Sequence, residues 1–303
     1  MSLRILITGA SSGVGREAAL QLAQRGHRVV LASRGVDAGR TAAAQINAAG
    51  GCAEFRMLDL ADLDQVRRFA AVELSSGQAL DVLLCNAGLL APVERETTRQ
   101  GFELLFGTAH LGHFALTGLL MPALLRSRQP RVISVSSVAH AYGRIDFSDL
   151  HGNRSYHSMR AYTATKLACL IFAVELQRRA ATCRSALTSV AAHPGIASTP
   201  IAADWRRQKR QRLRDRFDLM ANQLTMRLFS QSAADGALPL VHAACETVVP
   251  GGYYGPLGWG QMSGAPGRVR PSTRALDREV GERLWAESER LTGVVYPFEV
   301  ASV

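Results

Sequence analysis

A doubly wound α/β fold, with a parallel sheet and helices on both faces, is predicted by three features of the 303-residue sequence. Short apolar runs of about five residues alternate with longer segments of helical period. A glycine-rich stretch follows the first apolar run directly and opens the first helical segment. No internal repeat or low-complexity linker interrupts the alternation, so a single domain is expected over residues 1–303.

The elements follow in order. Leu3–Ile7 is the first strand candidate, and the helix beyond its turn runs near Arg16–Arg25. Arg28–Ala32 is the second strand, followed by a helix near Asp37–Ala49. Ala53–Met57 is the third, with a helix beginning near Asp62. Val82–Cys85, Arg131–Val135 and Leu187–Ala192 are further β-branched or aliphatic runs. Right-handed crossovers between such strands place helices on both faces of the sheet. The proline- and glycine-rich stretch Pro250–Pro271 reads as a surface loop in a C-terminal extension of about 250–303.

Composition narrows the class. With 47% hydrophobic and 20% charged residues and a mean hydropathy of +0.03, the chain is neither disordered, collagen-like nor a disulfide scaffold. The formal net charge of +10 would suggest nucleic acid, but all but two of the 35 basic residues are arginine, the exceptions being Lys166 and Lys209. That pattern fits a compositional bias spread over the surface, so no nucleic-acid partner is expected. Cys52, Cys85, Cys169, Cys183 and Cys245 form no CxxC pair, which predicts free thiols in a reducing compartment and no zinc ribbon. The N-terminus enters a strand by Leu3 without a signal-peptide pattern. No uninterrupted apolar run reaches the ~18–20 residues of a bilayer span. A cytoplasmic protein without a membrane partner is the expectation.

The glycine-rich turn reads Thr8-Gly9-Ala10-Ser11-Ser12-Gly13-Val14-Gly15, a GxxxGxG spacing between the first strand and first helix. Glycines there permit a tight turn and close approach of the backbone to a pyrophosphate at the helix N-terminus. That placement predicts a Rossmann-like dinucleotide site. The second strand ends in Ser33-Arg34, where an acid would favour NAD, and Arg16 opens the first helix nearby. Guanidinium groups suit a 2′-phosphate, so NADP(H) is the expected cofactor.

Tyr162 and Lys166 stand at i and i+4, on one face of a helix. A phenol is a weak acid near neutral pH, and an ammonium beside it favours the phenolate needed for proton transfer. Upstream, Ser134-Val135-Ser136-Ser137 closes a strand with hydroxyls that could hold a carbonyl oxygen.

Taken together, these motifs resemble the classical short-chain dehydrogenase/reductase family over nearly the whole chain. The resemblance implies that Tyr162 is the proton donor or acceptor, Lys166 a ribose binder and modifier of Tyr162, and Ser137 the substrate-orienting serine, with Ser136 packed in the strand end. Asp59-Leu60 matches the segment near the adenine, and Asn86-Ala87-Gly88 the motif that supports the sheet beside the cofactor. His193-Pro194-Gly195 with Ile196 matches the nicotinamide side, and Thr199 the carboxamide contact. The long interval from Ser137 to Tyr162, His110-Leu111-Gly112-His113-Phe114 and Tyr253-Tyr254-Gly255-Pro256 resemble the retinol-dehydrogenase and protochlorophyllide-reductase-like branch. The family's long central helices imply homodimers or homotetramers.

The implied activity is hydride transfer between NADP(H) and a carbonyl or secondary alcohol of a bulky apolar substrate, in the reductive direction. One position departs from the family pattern. The asparagine of the family's catalytic tetrad, which helps hold a water behind the lysine, is Ala109 here, preceded by Thr108. Thr108, His110 or further water completes the relay, or else the scaffold carries altered, non-redox chemistry or serves as a nucleotide sensor. His110 and His113 lack companion ligands at metal-binding spacing, so no metal is expected. A variable segment of about 197–230 is expected to form a substrate lid. It carries the basic residues between Arg206 and Arg216, with Trp205 before them and Phe217 and Met220 after.

Overall fold

A computed structural model describes residues 2–196 and 231–298. Its strands are β1 (Arg4–Thr8), β2 (Arg28–Ser33), β3 (Cys52–Met57), β4 (Val82–Cys85), β5 (Arg131–Val135), β6 (Thr188–Ala192), β7 (Tyr253–Pro256) and β8 (Pro266–Val269). They form one sheet in the order β3-β2-β1-β4-β5-β6-β7-β8. All neighbours pair in parallel except β7 and β8. The first six strands lie within one residue of the aliphatic runs that predict them.

Alternation along each strand divides the core. Ile5, Ile7, Val29 and Leu31 face a layer built by α1 (Gly13–Gln24), α2 (Val36–Ala48) and α6 (Ala233–Cys245). Leu6, Val30, Leu83 and Val132 face the opposite layer, built by α3 (Leu63–Ser75), α4 (Leu104–Leu124) and α5 (Ser158–Thr182). Both faces of the sheet are therefore covered, as a parallel sheet requires. The strand order reverses between β1 and β4, and the carboxyl ends of the strands open a cleft there.

The structure corrects one expectation. Pro250–Pro271 contains β7 and β8, which extend the sheet as a hairpin with an antiparallel edge. Tyr253 and Tyr254 pack on opposite sides of the sheet, and Pro256 pairs with Pro266 at the far end of the two-stranded ladder. Helix α4 is long and apolar enough to cross a membrane by length and composition, although no single apolar run in it is continuous. In the fold, 89% of that stretch is buried.

Helix α4 is regular except at Gly107–Leu111, where it widens into a π-helical turn. A final helix, α7 (Arg278–Thr292), lies across α4 and α5. Its Trp285 stacks on Phe172 and meets Phe114 edge-on, while the Arg179 guanidinium covers the indole at 4.4 Å.

Candidate active site

A cleft of about 590 Å³ runs along the carboxyl ends of β1, β2, β4 and β5. Its floor is the turn after β1. Gly9 has φ +66°, and a side chain there would stand 2.7 Å from the Ala87 backbone. A side chain at Gly15 would overlap the Asn86 amide, which donates to the carbonyl oxygens of Thr8 (2.8 Å) and Gly9 (3.4 Å). The two motifs thus interlock, and the turn's backbone is held open beneath the cleft. Ser12 begins α1 with no side-chain cap and no acid in the first turn, leaving backbone N–H groups directed at the opening.

Thr8 does not line the cleft. It lies fully buried beneath it, where its hydroxyl accepts from the N–H groups of Asn86 and Ala87, both at 2.9 Å. The remaining hydroxyl proton goes to Nε2 of His113 at 2.8 Å. His113 in turn donates from Nδ1 to the Ala109 carbonyl at 2.8 Å. Burial pushes its pKa down to about 4, so the ring is neutral and held in one tautomer. His110 bonds Ser288 at 2.9 Å and is likewise held down to about 3 by burial. Among the described residues no group of His, Cys, Asp or Glu is arranged to hold a metal ion.

At the β2 end, Ser33, Arg34 and Gly35 line the cleft beside Asp59 and Leu60. The Ser33 hydroxyl is buried and without a hydrogen-bond partner, and Arg34 is exposed with no ion pair among the described residues. No carboxylate stands at the end of β2 to compete. An orphan hydroxyl and a free guanidinium fit a phosphorylated ribose. Arg16 is half-buried on α1 and is not part of the cleft wall.

Ser137, Tyr162 and Lys166 come together at the other end. Ser136 is buried and donates to the Lys166 carbonyl at 2.7 Å, while Ser137 opens on the cleft. His140 sits behind Ser137, donating from Nδ1 to its carbonyl at 2.7 Å and accepting from the Ser272 N–H at 3.1 Å. Lys166 Nζ lies 6.0 Å from the centre of the Tyr162 ring and donates to the Val135 carbonyl at 3.3 Å. Beside it Gly88 leaves room: a side chain there would approach Nζ to 3.5 Å.

Pro194, Gly195 and Ile196 close the wall. Sequence reasoning did not find what holds them, which is the β7–β8 hairpin. Ile196 N–H donates to the Met262 carbonyl at 2.9 Å, and Gly195 (φ +65°) passes so close to that carbonyl that a side chain would strike it. His193, fully buried and held down to about 4 by burial, accepts from the Gly195 N–H and donates to Gln261, both at 3.2 Å. The only advance signal was the Tyr253-Tyr254 pair, two strand-favouring residues inside a stretch read as loop. Thr199 and the expected lid of about 197–230, including Trp205, Phe217 and Met220, lie outside the described residues.

Comparison with known proteins identifies relatives along the whole chain. Residues 4–210 match the short chain dehydrogenase family model. Human retinol dehydrogenase 13 is 37% identical over 299 residues, covering 97% of this chain and 85% of the relative. A crystal structure of an uncharacterized protein from Mycobacterium paratuberculosis superposes with a TM-score of 0.79 at 38% identity, covering 97% of this chain and 95% of the other. A protein described as an NAD(P)-dependent gluconate 5-dehydrogenase from Beutenbergia cavernae, solved with bound NADP at low occupancy, matches at 26% identity with a TM-score of 0.62. That match covers 80% of this chain and 88% of the other.

Proposed function

The chain belongs to the short chain dehydrogenase family, in its retinol-dehydrogenase-like branch, and from that premise we propose that it interconverts a carbonyl and an alcohol on a bulky apolar substrate, with NADP(H) as the cofactor. The observation that carries this reading is the convergence of Ser137, Tyr162 and Lys166 on the cleft that the glycine-rich turn floors. When bound, the nicotinamide supplies or accepts the hydride.

The chain's own residues do the rest. Tyr162 delivers a proton to the substrate oxygen during reduction and removes one during oxidation. The Lys166 ammonium is fixed beside Tyr162 by the Val135 carbonyl. The Ser137 hydroxyl holds the substrate oxygen within reach, and His140 fixes the Ser137 backbone from behind. Backbone N–H groups of the turn from Gly9 through Ser11, Ser12 and Gly13 to Gly15 hold the pyrophosphate, with Val14 packed beneath. Ser33 and Arg34 would hold the 2′-phosphate, and Asp59 and Leu60 would lie on the adenine side.

An apolar substrate is supported by Leu89, Leu90, Val138 and Ile196, which line the cleft near Tyr162. It is also supported by a relative named for retinol, an apolar alcohol. Reduction is the assigned direction because cells keep the NADPH pool reduced. The test is NADPH consumption by the purified protein over a panel of long-chain aldehydes and aryl ketones. Consumption matched by alcohol formation is expected. Cofactor binding without consumption on any member of the panel would count against the reading.

A further inference from the structure

Resting on that reading, we propose that the long stretch between Ser137 and Tyr162 is the specificity element of the site. Through Tyr156 and Arg95 it fixes Leu89 and Leu90 as an apolar wall, and so selects carbonyl substrates that carry an extended apolar tail. The chemistry of Ser137, Tyr162 and Lys166 uses only the two ends of that stretch.

Its first part is anchored away from the cleft. Ile145, Phe147 and Leu150 pack against Leu167 and Ile171 of α5 and Leu284 of α7, and the Arg283 guanidinium covers the Phe147 ring at 4.2 Å. The turn that follows is tied internally. The Asp149 carboxylate accepts from the N–H groups of Asn153 at 2.7 Å, Arg154 at 3.1 Å and Ser155 at 3.2 Å. A segment built this way opens only together with the contacts beneath it.

Two hydrogen bonds then reach across to the loop after β4. The Tyr156 hydroxyl donates to the Pro92 carbonyl at 2.8 Å, and Arg95 Nε donates to the His151 carbonyl at 2.7 Å. The His151 ring is stacked on Phe102 at 5.3 Å, and its Nδ1 accepts from the Glu103 N–H at 3.4 Å. Burial and the nearby Glu103 and Glu96 carboxylates push the Tyr156 phenol up to about 12, so it stays a donor at neutral pH.

The backbone held by this clasp carries the wall of the reacting end. Leu89 and Leu90 line the cleft just before Pro92, and Leu89 packs in one cluster with Ala91, Ala161 and Tyr162. Residues 89–92 belong to no helix or strand, so their place depends on packing and on the bond to the Pro92 carbonyl. A short carbonyl compound meets Ser137 and Tyr162 without using the wall, whereas an extended tail lies along Leu89 and Leu90. A wall ordered in advance reduces the entropy lost when such a tail binds.

The test compares decanal with propanal as substrates of the NADPH-loaded enzyme, in wild type and in Tyr156→Phe, which removes only the hydroxyl. Wild type should have the lower KM for decanal. In Tyr156→Phe that KM should rise about 3- to 10-fold, the size of one lost hydrogen bond. The kcat values, the NADPH affinity and the KM for propanal should match wild type. Arg95→Met cuts the second bond and should give the same pattern, which serves where Tyr156→Phe folds poorly. Limited trypsin digestion of the NADPH-bound protein reads the clasp without turnover: cleavage after Arg95 should be about 3- to 10-fold faster in Tyr156→Phe. A wild-type ratio of decanal to propanal KM in both variants, or a kcat that falls equally for the two aldehydes, would overturn the proposal. An unchanged rate of cleavage after Arg95 would do the same. Failure of the underlying reading looks different: wild type would then consume NADPH with neither aldehyde, and the specificity element would fall with it.

Discussion

Nδ1 of His113 donates to the carbonyl of Ala109 at 2.8 Å, and the same ring accepts from Thr8 through Nε2. One neutral imidazole thereby ties the strand end below the glycine-rich turn to the π-helical turn in the wall of the site. His140 does the same for Ser137 and Ser272, and His193 for Gly195 and Gln261. Each ring uses one nitrogen as donor and the other as acceptor, which requires the uncharged form.

Stability should therefore depend on pH in a defined window. Burial holds His113 and His193 down to about 4 and lowers His140. The unfolded chain binds protons on these rings below about 6.5, where the folded protein does not. Their contribution is complete above that value and is lost progressively as pH falls toward about 4. Displacements of this size correspond to about 3 kcal/mol for each of His113 and His193. Urea midpoints measured across this range should drop with acidity, and imidazole titrations followed by NMR should show both rings unprotonated at pH 6. A constant midpoint would refute the neutral-ring account.

Cofactor choice should depend on the end of β2. Arg34→Ala removes the free guanidinium beside the orphan Ser33 hydroxyl. A charged hydrogen-bonding contact is worth about 1.5–3 kcal/mol, so NADPH affinity should fall by about 10- to 100-fold. NADH affinity should stay as it is. Equal losses for the two cofactors would remove Arg34 from phosphate recognition. Arg16→Ala, outside the cleft wall, should have the smaller effect.

Helix α7 should contribute to the core without touching the chemistry. Trp285 is 3% exposed and sits among Phe114, Phe172 and Tyr296. Trp285→Ala should destabilise the protein by about 3–5 kcal/mol, read as a lower thermal midpoint, while NADPH affinity is retained. Of these neighbours Phe114 belongs to α4 and Phe172 to α5, so α7 is anchored on both helices.

Much of this arrangement was legible in the residues because it is local. Most of the parallel strands are short aliphatic runs, β1, β4 and β5 above all, and the turn after β1 declares itself by glycines at positions where a side chain would strike Ala87 or Asn86. Tyr162 and Lys166 are related by helical spacing alone. What was hidden is non-local. The β7–β8 hairpin pairs short stretches punctuated by proline and glycine, and its role depends on where Met262 and Gln261 fall beside Gly195 and His193. The apolar character of α4 is spread over a helix with Gly107, His110 and His113 inside it, so no run announced it. Arg16 is close to the turn in sequence but does not line the cleft, because closeness in sequence does not fix which side of α1 a residue takes.

The central claim is that Tyr162 exchanges the proton of a carbonyl–alcohol interconversion in the cleft it shares with Ser137 and Lys166. The most direct measurement is turnover of Tyr162→Phe beside its NADPH affinity. The account predicts a fall in kcat of about 10²–10⁴ with NADPH binding retained. Undiminished turnover in Tyr162→Phe would contradict it.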